Sequence, residues 1–161
     1  METDTDQFKK YEVLGVERQA IENKIFEQVE TWGLKIPRVD YLMIHFGLND
    51  FFKTGETEFW VSNEVDAGYC AKLIFVFDKQ TCPSHFHRVK HETFYIVKGK
   101  TRMIVNGVET IKQTGDIVVV PTETKHGFTG LGPCLLLEVS MPSIPGDSHV
   151  ENMEIGNNGI L

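Results

Sequence analysis

The sequence predicts a mainly β fold, a jelly roll or closely related barrel, preceded by a single N-terminal α-helix. Three observations point there. One stretch near the start repeats its apolar residues at helical spacing, the chain beyond Pro37 breaks into short β-rich segments separated by turn residues, and no second long helical periodicity or low-complexity linker follows. At 161 residues, with 41% hydrophobic and 24% charged residues, the chain is large enough to enclose one core and apolar enough to be driven to fold by burial. The expected organisation is a single domain over 1–161, made of an N-terminal helical segment (1–36), a β-barrel (37–141) and a C-terminal strap (142–161).

Residues 1–10 read as a polar start. From Val16 to Trp32 the apolar residues Ile21, Ile25, Val29 and Trp32 fall on one helical face, and Gly33 is placed to end the helix. That face must cover apolar surface, either the outside of a sheet or a partner subunit, and both remain open. Strands are predicted at Phe59–Val61, Tyr69–Phe77, Glu92–Val97, Thr101–Val105, Val108–Lys112, Ile117–Val120 and Leu135–Ser140. Asn106-Gly107 has the composition of a type I′ hairpin turn, whose two central residues need positive φ. Further breaks fall at Lys98-Gly99, Thr114-Gly115-Asp116 and Gly130–Pro133. From Pro142 onward Pro145, Gly146, Gly156 and Gly159 suggest an extended strap across the body.

Charge and composition exclude several roles. A net charge of -7 and a pI near 5.3 oppose binding to a phosphate backbone, so no nucleic-acid partner is expected. The longest apolar runs, Leu73–Phe77 and Ile117–Val120, are too short to cross a bilayer, and Met1–Asp6 lacks a basic-then-apolar leader pattern. A cytoplasmic protein without a membrane partner is the expectation. Cys70, Cys82 and Cys134 are odd in number and without CxxC spacing, which suggests reduced, buried thiols.

The informative segment is Cys82-Pro83-Ser84-His85-Phe86-His87-Arg88-Val89-Lys90-His91-Glu92. A strand repeats every two residues, so His85 and His87 project to one face, and after a short bend Glu92 opens the next strand and can return a carboxylate to them. A second segment runs from Gly115 through a buried strand and the bend at Pro121 to His126, the natural fourth ligand. Three imidazoles and a carboxylate suit one divalent ion, Mn, Fe, Co, Ni or Zn. His91 should point away from Glu92's face, and His45 and His149 belong to no such pattern. Cys82 is near His85 in sequence, but a fourth ligand is already supplied elsewhere.

These residues resemble the cupin superfamily. His85, His87, Glu92 and Gly99 match its first motif, and Gly115, Pro121 and His126 its second. Lys79 and Glu123 stand where the motifs usually have glycine, and Gly130 where asparagine is usual. Within the superfamily the chain is similar to D-lyxose ketol-isomerases and related sugar isomerases along Gly33–Pro37, Tyr69–Leu73, His85–Glu92, Thr124–His126 and Leu137–Ser140. Sugar-modifying cupins appended to sialic acid synthases look similar around the same motif.

The resemblance implies a cupin-type barrel, a double-stranded β-helix, that interconverts an aldose and a ketose of the D-lyxose/D-xylulose kind through an enediol. It puts manganese first among the candidate metals and implies a homodimer. It also singles out Glu138 as the proton-carrying base, and Lys72 and Lys90 as pocket lysines that could donate to sugar hydroxyls or to the enediolate oxygen. For Glu138 the ordinary alternative is an exposed strand glutamate or a salt-bridge partner, and for Lys72 a snorkelling surface lysine, while Lys125 should face outward. Two other functions remain open at this stage: an Fe(II) cupin dioxygenase using the same ligands, and a barrel that binds a sugar or other small polar molecule without catalysis.

Overall fold

The computed structural model describes residues 10–161; the polar start expected over 1–10 lies, but for its last residue, outside the described residues. The chain forms α1 (Gly15–Thr31) and then β1 (Tyr41–Ile44), β2 (Glu56–Glu64), β3 (Tyr69–Val76), β4 (Thr81–His87), β5 (Glu92–Lys98), β6 (Lys100–Val105), β7 (Val108–Gln113), β8 (Ile117–Val120), β9 (His126–Gly130), β10 (Cys134–Ser140) and β11 (Ser148–Val150). These make two antiparallel sheets, one ordered β1-β2-β3-β10-β5-β8 and the other β11-β4-β9-β6-β7. The mainly β fold with one preceding helix is the one the sequence predicts.

The first sheet is buried on both sides where α1 covers it, which is why the strands there are apolar almost without interruption. Inward-facing Ile74, Ile96 and Leu136 pack with Met103 and Phe128 of the second sheet. Outward-facing Phe59, Phe75 and Leu135 pack under α1, whose Ile21, Ile25 and Val29 are all buried. Of the two surfaces left open for the helix, it covers the sheet of its own chain. Its last turn closes as expected: Gly33 takes φ 69°, and the Leu34 N–H reaches the Val29 carbonyl at 3.1 Å.

The Asn106-Gly107 turn has φ values of 48° and 78°, as a type I′ hairpin between β6 and β7 requires. Two other positive-φ residues are Lys79 (62°) and Glu123 (60°), the positions where the motif glycines are missing. The sequence reading falls short elsewhere. β2 starts at Glu56 rather than Phe59, β1, β9 and β11 lie outside the predicted strands, and of β4 only the His85 and His87 pair is predicted as extended. The strap is more than a cover, since its Ser148–Val150 pairs with β4 as an edge strand. No helix among the described residues is long and apolar enough to cross a membrane.

Candidate metal centre

β4 is bulged between Cys82 and His85, beside Pro83, and from there its pleat carries His85 and His87 into the space between the sheets. His126, the first residue of β9, lies directly opposite His85 in register, and Glu92 opens β5 on the facing sheet. One candidate ligand atom from each of the four lies within 4.8 Å of those of the other three. Glu92, His87 and His126 are buried, while His85 is half-buried at the pocket wall.

Each imidazole is oriented by a backbone carbonyl. His85 Nδ1 donates to Pro83 O at 2.8 Å, His87 Nδ1 to Asp147 O at 3.2 Å, and His126 Nδ1 to Thr124 O at 2.9 Å. A carbonyl only accepts, so Nδ1 carries the proton in each ring and Nε2 is left as a lone pair, the tautomer a metal requires. His126 Nε2 and Glu92 Oε2 lie 2.8 Å apart, both buried, without hydrogen-bonding geometry between them. Two electron-rich atoms at that distance call for a positive charge between them. Burial works against protonating His126, yet the Glu92 carboxylate raises its pKa. Glu92 in turn is held well below the ordinary carboxylate range, because Lys90 and the histidines outweigh its burial. For His85, burial and the neighbouring rings lower the pKa well below the usual value, so it stays neutral. The donor set therefore fits a divalent ion.

A chain of alternating charges leads away from this cluster. Lys90 Nζ lies 2.9 Å from Glu92 Oε1 and 2.5 Å from Glu138 Oε1; Glu138 Oε2 lies 3.4 Å from Lys72 Nζ; Lys72 lies 3.0 Å from Glu58 Oε1. Ser140 Oγ donates to Glu138 at 2.8 Å, and Trp60 Nε1 to Glu58 at 3.1 Å. Glu138 faces inward on β10 beside Lys72 of β3, so neither the exposed glutamate nor the snorkelling lysine describes them, and Glu138 is a salt-bridge partner of both lysines. Burial opposes every one of these charges. The two lysines nonetheless keep Glu138 below its ordinary pKa, and the carboxylates keep Lys72 well above and Lys90 above theirs.

The structure thus brings together all seven residues singled out from the sequence. Cys82 is buried and lines the same pocket but is not in the four-residue cluster; its thiol is pushed well up by burial and by Glu56. His45 accepts from Gly47 N, His149 stacks on Phe86, His91 is exposed, and Lys125 pairs outward with Glu151. Sequence reasoning missed Glu56, Glu58 and Trp60 on β2, which line the pocket. It also missed Asp147, whose carboxylate takes the N–H groups of Arg88, Val89 and Lys90 at 2.9, 3.0 and 3.1 Å and so fixes the bend that carries Lys90.

Two antiparallel sheets closed around a histidine and carboxylate cluster define a β-barrel with a candidate metal centre. Residues 74–140 match the family model described as the cupin domain. The chain is 32% identical over 99 residues to a D-lyxose/D-mannose isomerase of Thermosediminibacter oceani, a match covering 56% of this chain and only 54% of that protein. In three dimensions it is similar to an RmlC-like cupin from Shewanella frigidimarina (TM-score 0.56, 20% identity, 66% of this chain and 86% of that one). It is also similar to the L-ribose isomerase of Geodermatophilus obscurus (TM-score 0.51, 19% identity, 56% and 62%). At such identities the solved structures speak for the fold alone.

Proposed function

We propose that this chain is a metal-dependent aldose–ketose isomerase acting on a free sugar, of the D-lyxose/D-xylulose kind, through an enediol. The observation that carries the proposal is Glu138, a buried carboxylate clamped between two ammonium groups one ion pair away from the histidine and carboxylate cluster. His85, His87, Glu92 and His126 would hold the ion, manganese first and Fe, Co, Ni or Zn as alternatives. Bound there, it supplies an electrophile for the carbonyl and the adjacent hydroxyl oxygen of the sugar. Glu138, ionised because Lys72 and Lys90 stabilise its charge, takes the proton from one carbon and returns it to the neighbouring one. Lys90 donates toward the oxygen on which negative charge develops, and Lys72 holds Glu138 in place.

A free sugar is favoured over a phosphorylated one by the charge of the wall. Both pocket lysines are already engaged by carboxylates, so an incoming phosphate would meet Glu58 and Glu138 without an uncommitted cation among the described lining residues. The 32%-identical isomerase adds support for the substrate class. The test is to incubate manganese-loaded protein with a panel of pentoses and hexoses in heavy water. Aldose–ketose interconversion with deuterium appearing at C2 is expected; neither turnover nor exchange across the panel would reject the reading.

The chain is further read as one cytoplasmic domain that pairs as a homodimer. Tyr95, Ile117, Val119 and Val139 supply apolar surface on the part of the first sheet that lies beyond α1. Sedimentation at micromolar concentration tests the pairing.

A further inference from the structure

Three alternate residues of β2, Glu56, Glu58 and Trp60, line the pocket, but they are not equally occupied. Glu58 accepts from Lys72 and from the indole of Trp60. Glu56 is 5% exposed, and its Oε2 has no hydrogen-bond partner among the described residues. A buried carboxyl oxygen without a partner is costly, so its retention in a pocket wall points to a partner that arrives with the ligand.

The chemistry of that partner follows from the surroundings. Burial, then the charge of Glu58, holds the Glu56 carboxyl well above the usual range. The protonated form that this favours offers both an O–H donor and an acceptor oxygen. An anion would be repelled by Glu58 and Glu138, and a cation would ionise Glu56 and compete with Lys72. A hydroxyl group matches both functions and carries no charge. We propose that Glu56 is a recognition group for one hydroxyl of a neutral polyhydroxylated substrate, so that the pocket selects for sugars bearing that hydroxyl. This rests on the sugar reading above and adds to it a residue outside the proposed proton-transfer pair.

The test compares metal-loaded wild type with Glu56→Leu and Glu56→Gln on a sugar that the wild type turns over and on its monodeoxy analogues. For wild type, one deoxy analogue should lose at least about tenfold in kcat/KM, because a site built around a hydroxyl rejects a ligand lacking it. In Glu56→Leu, KM for the parent sugar should rise about tenfold with kcat changed less than about threefold, and the penalty for that analogue should vanish. Glu56→Gln, which still donates and accepts, should keep most of the discrimination. Metal content should be unchanged and the melting temperature of Glu56→Leu equal to or above that of wild type, since it removes an unpartnered polar group.

Wild-type KM and undiminished deoxy discrimination in Glu56→Leu would overturn the proposal, as would a lower melting temperature with loss of metal. If Glu56→Leu does not fold, Glu56→Ala, which only removes atoms, decides by the same readouts. A wild type that turns over no sugar at all overturns the isomerase reading and this proposal together, whereas an active wild type with an indifferent Glu56→Leu overturns this one alone.

Discussion

Neighbouring rows of the first sheet, both facing the barrel interior, are filled with opposite chemistry. Ile74, Leu136 and Ile96 stand side by side on β3, β10 and β5 and are buried in the apolar core. Two residues further along stand Lys72 on β3 and Glu138 on β10, with Phe94 on β5, and beyond them Ser140 beside Glu92. Both rows are buried to within a few percent. The apolar row stabilises the fold by leaving water, whereas the charged row must offset its desolvation by pairing, and such pairs are at best neutral against apolar replacements. The apolar row supports the fold; the charged row adds little to it, as expected of residues kept for the proposed proton transfer.

The comparison can be broken from either row. Glu138→Gln keeps shape and metal but removes the proposed proton carrier; kcat should fall by about 10²- to 10⁴-fold while metal content by elemental analysis stays at the wild-type level. Metal loss in that variant would place Glu138 in the wrong role. Leu136→Ala should instead lower unfolding free energy by about 2–5 kcal/mol in urea titrations, with kcat of the folded fraction little changed.

The pH dependence of stability sharpens the contrast. Glu138 in the folded protein lies below its ordinary value of 4.5, so its contribution is fully present above that value and is lost as pH falls from there through the depressed folded value. For Lys72, raised above 10.5, the contribution is present below that value and is lost as pH rises through the folded one. Urea midpoints measured through the acid range should therefore fall less steeply in Glu138→Gln than in wild type. Leu136→Ala should displace the whole curve downward without changing its shape.

The smallest effect belongs to neither row. Lys79→Gly and Glu123→Gly relieve side chains held at positive φ, and each should raise stability by about 0.5–1 kcal/mol, activity being unchanged. Destabilisation by either would mean that the side chain, rather than the backbone, matters there.

The same division explains what could be read from the sequence. The histidine and carboxylate cluster was legible because its members lie on two short segments, and a strand period of two with one bend already brings His85, His87 and Glu92 together. The helix and the Asn106-Gly107 turn were legible for the same local reason. Glu56 and Glu58 were not, because β2 is buried on both faces: Thr57 and Phe59 face away from the pocket that their neighbours line, and simple alternation of polar and apolar residues is lost. Asp147 holds amides 57 to 59 positions away, and within Pro-Gly-Asp it looks like an ordinary turn residue. The choice of surface under α1 also depended on long-range packing.

One arrangement bears on how this molecule is made. β10 fills the slot between β3 and β5, yet it leaves the ribosome after both of them. Until it emerges, the nascent chain has two separate ribbons with open edges facing one another, the kind of exposed strand that invites pairing with other chains. Folding is expected to be late and slow, governed by the closing of this one gap, and a chaperone that shields the two edges during translation would raise the yield of native protein more than any added packing in its core.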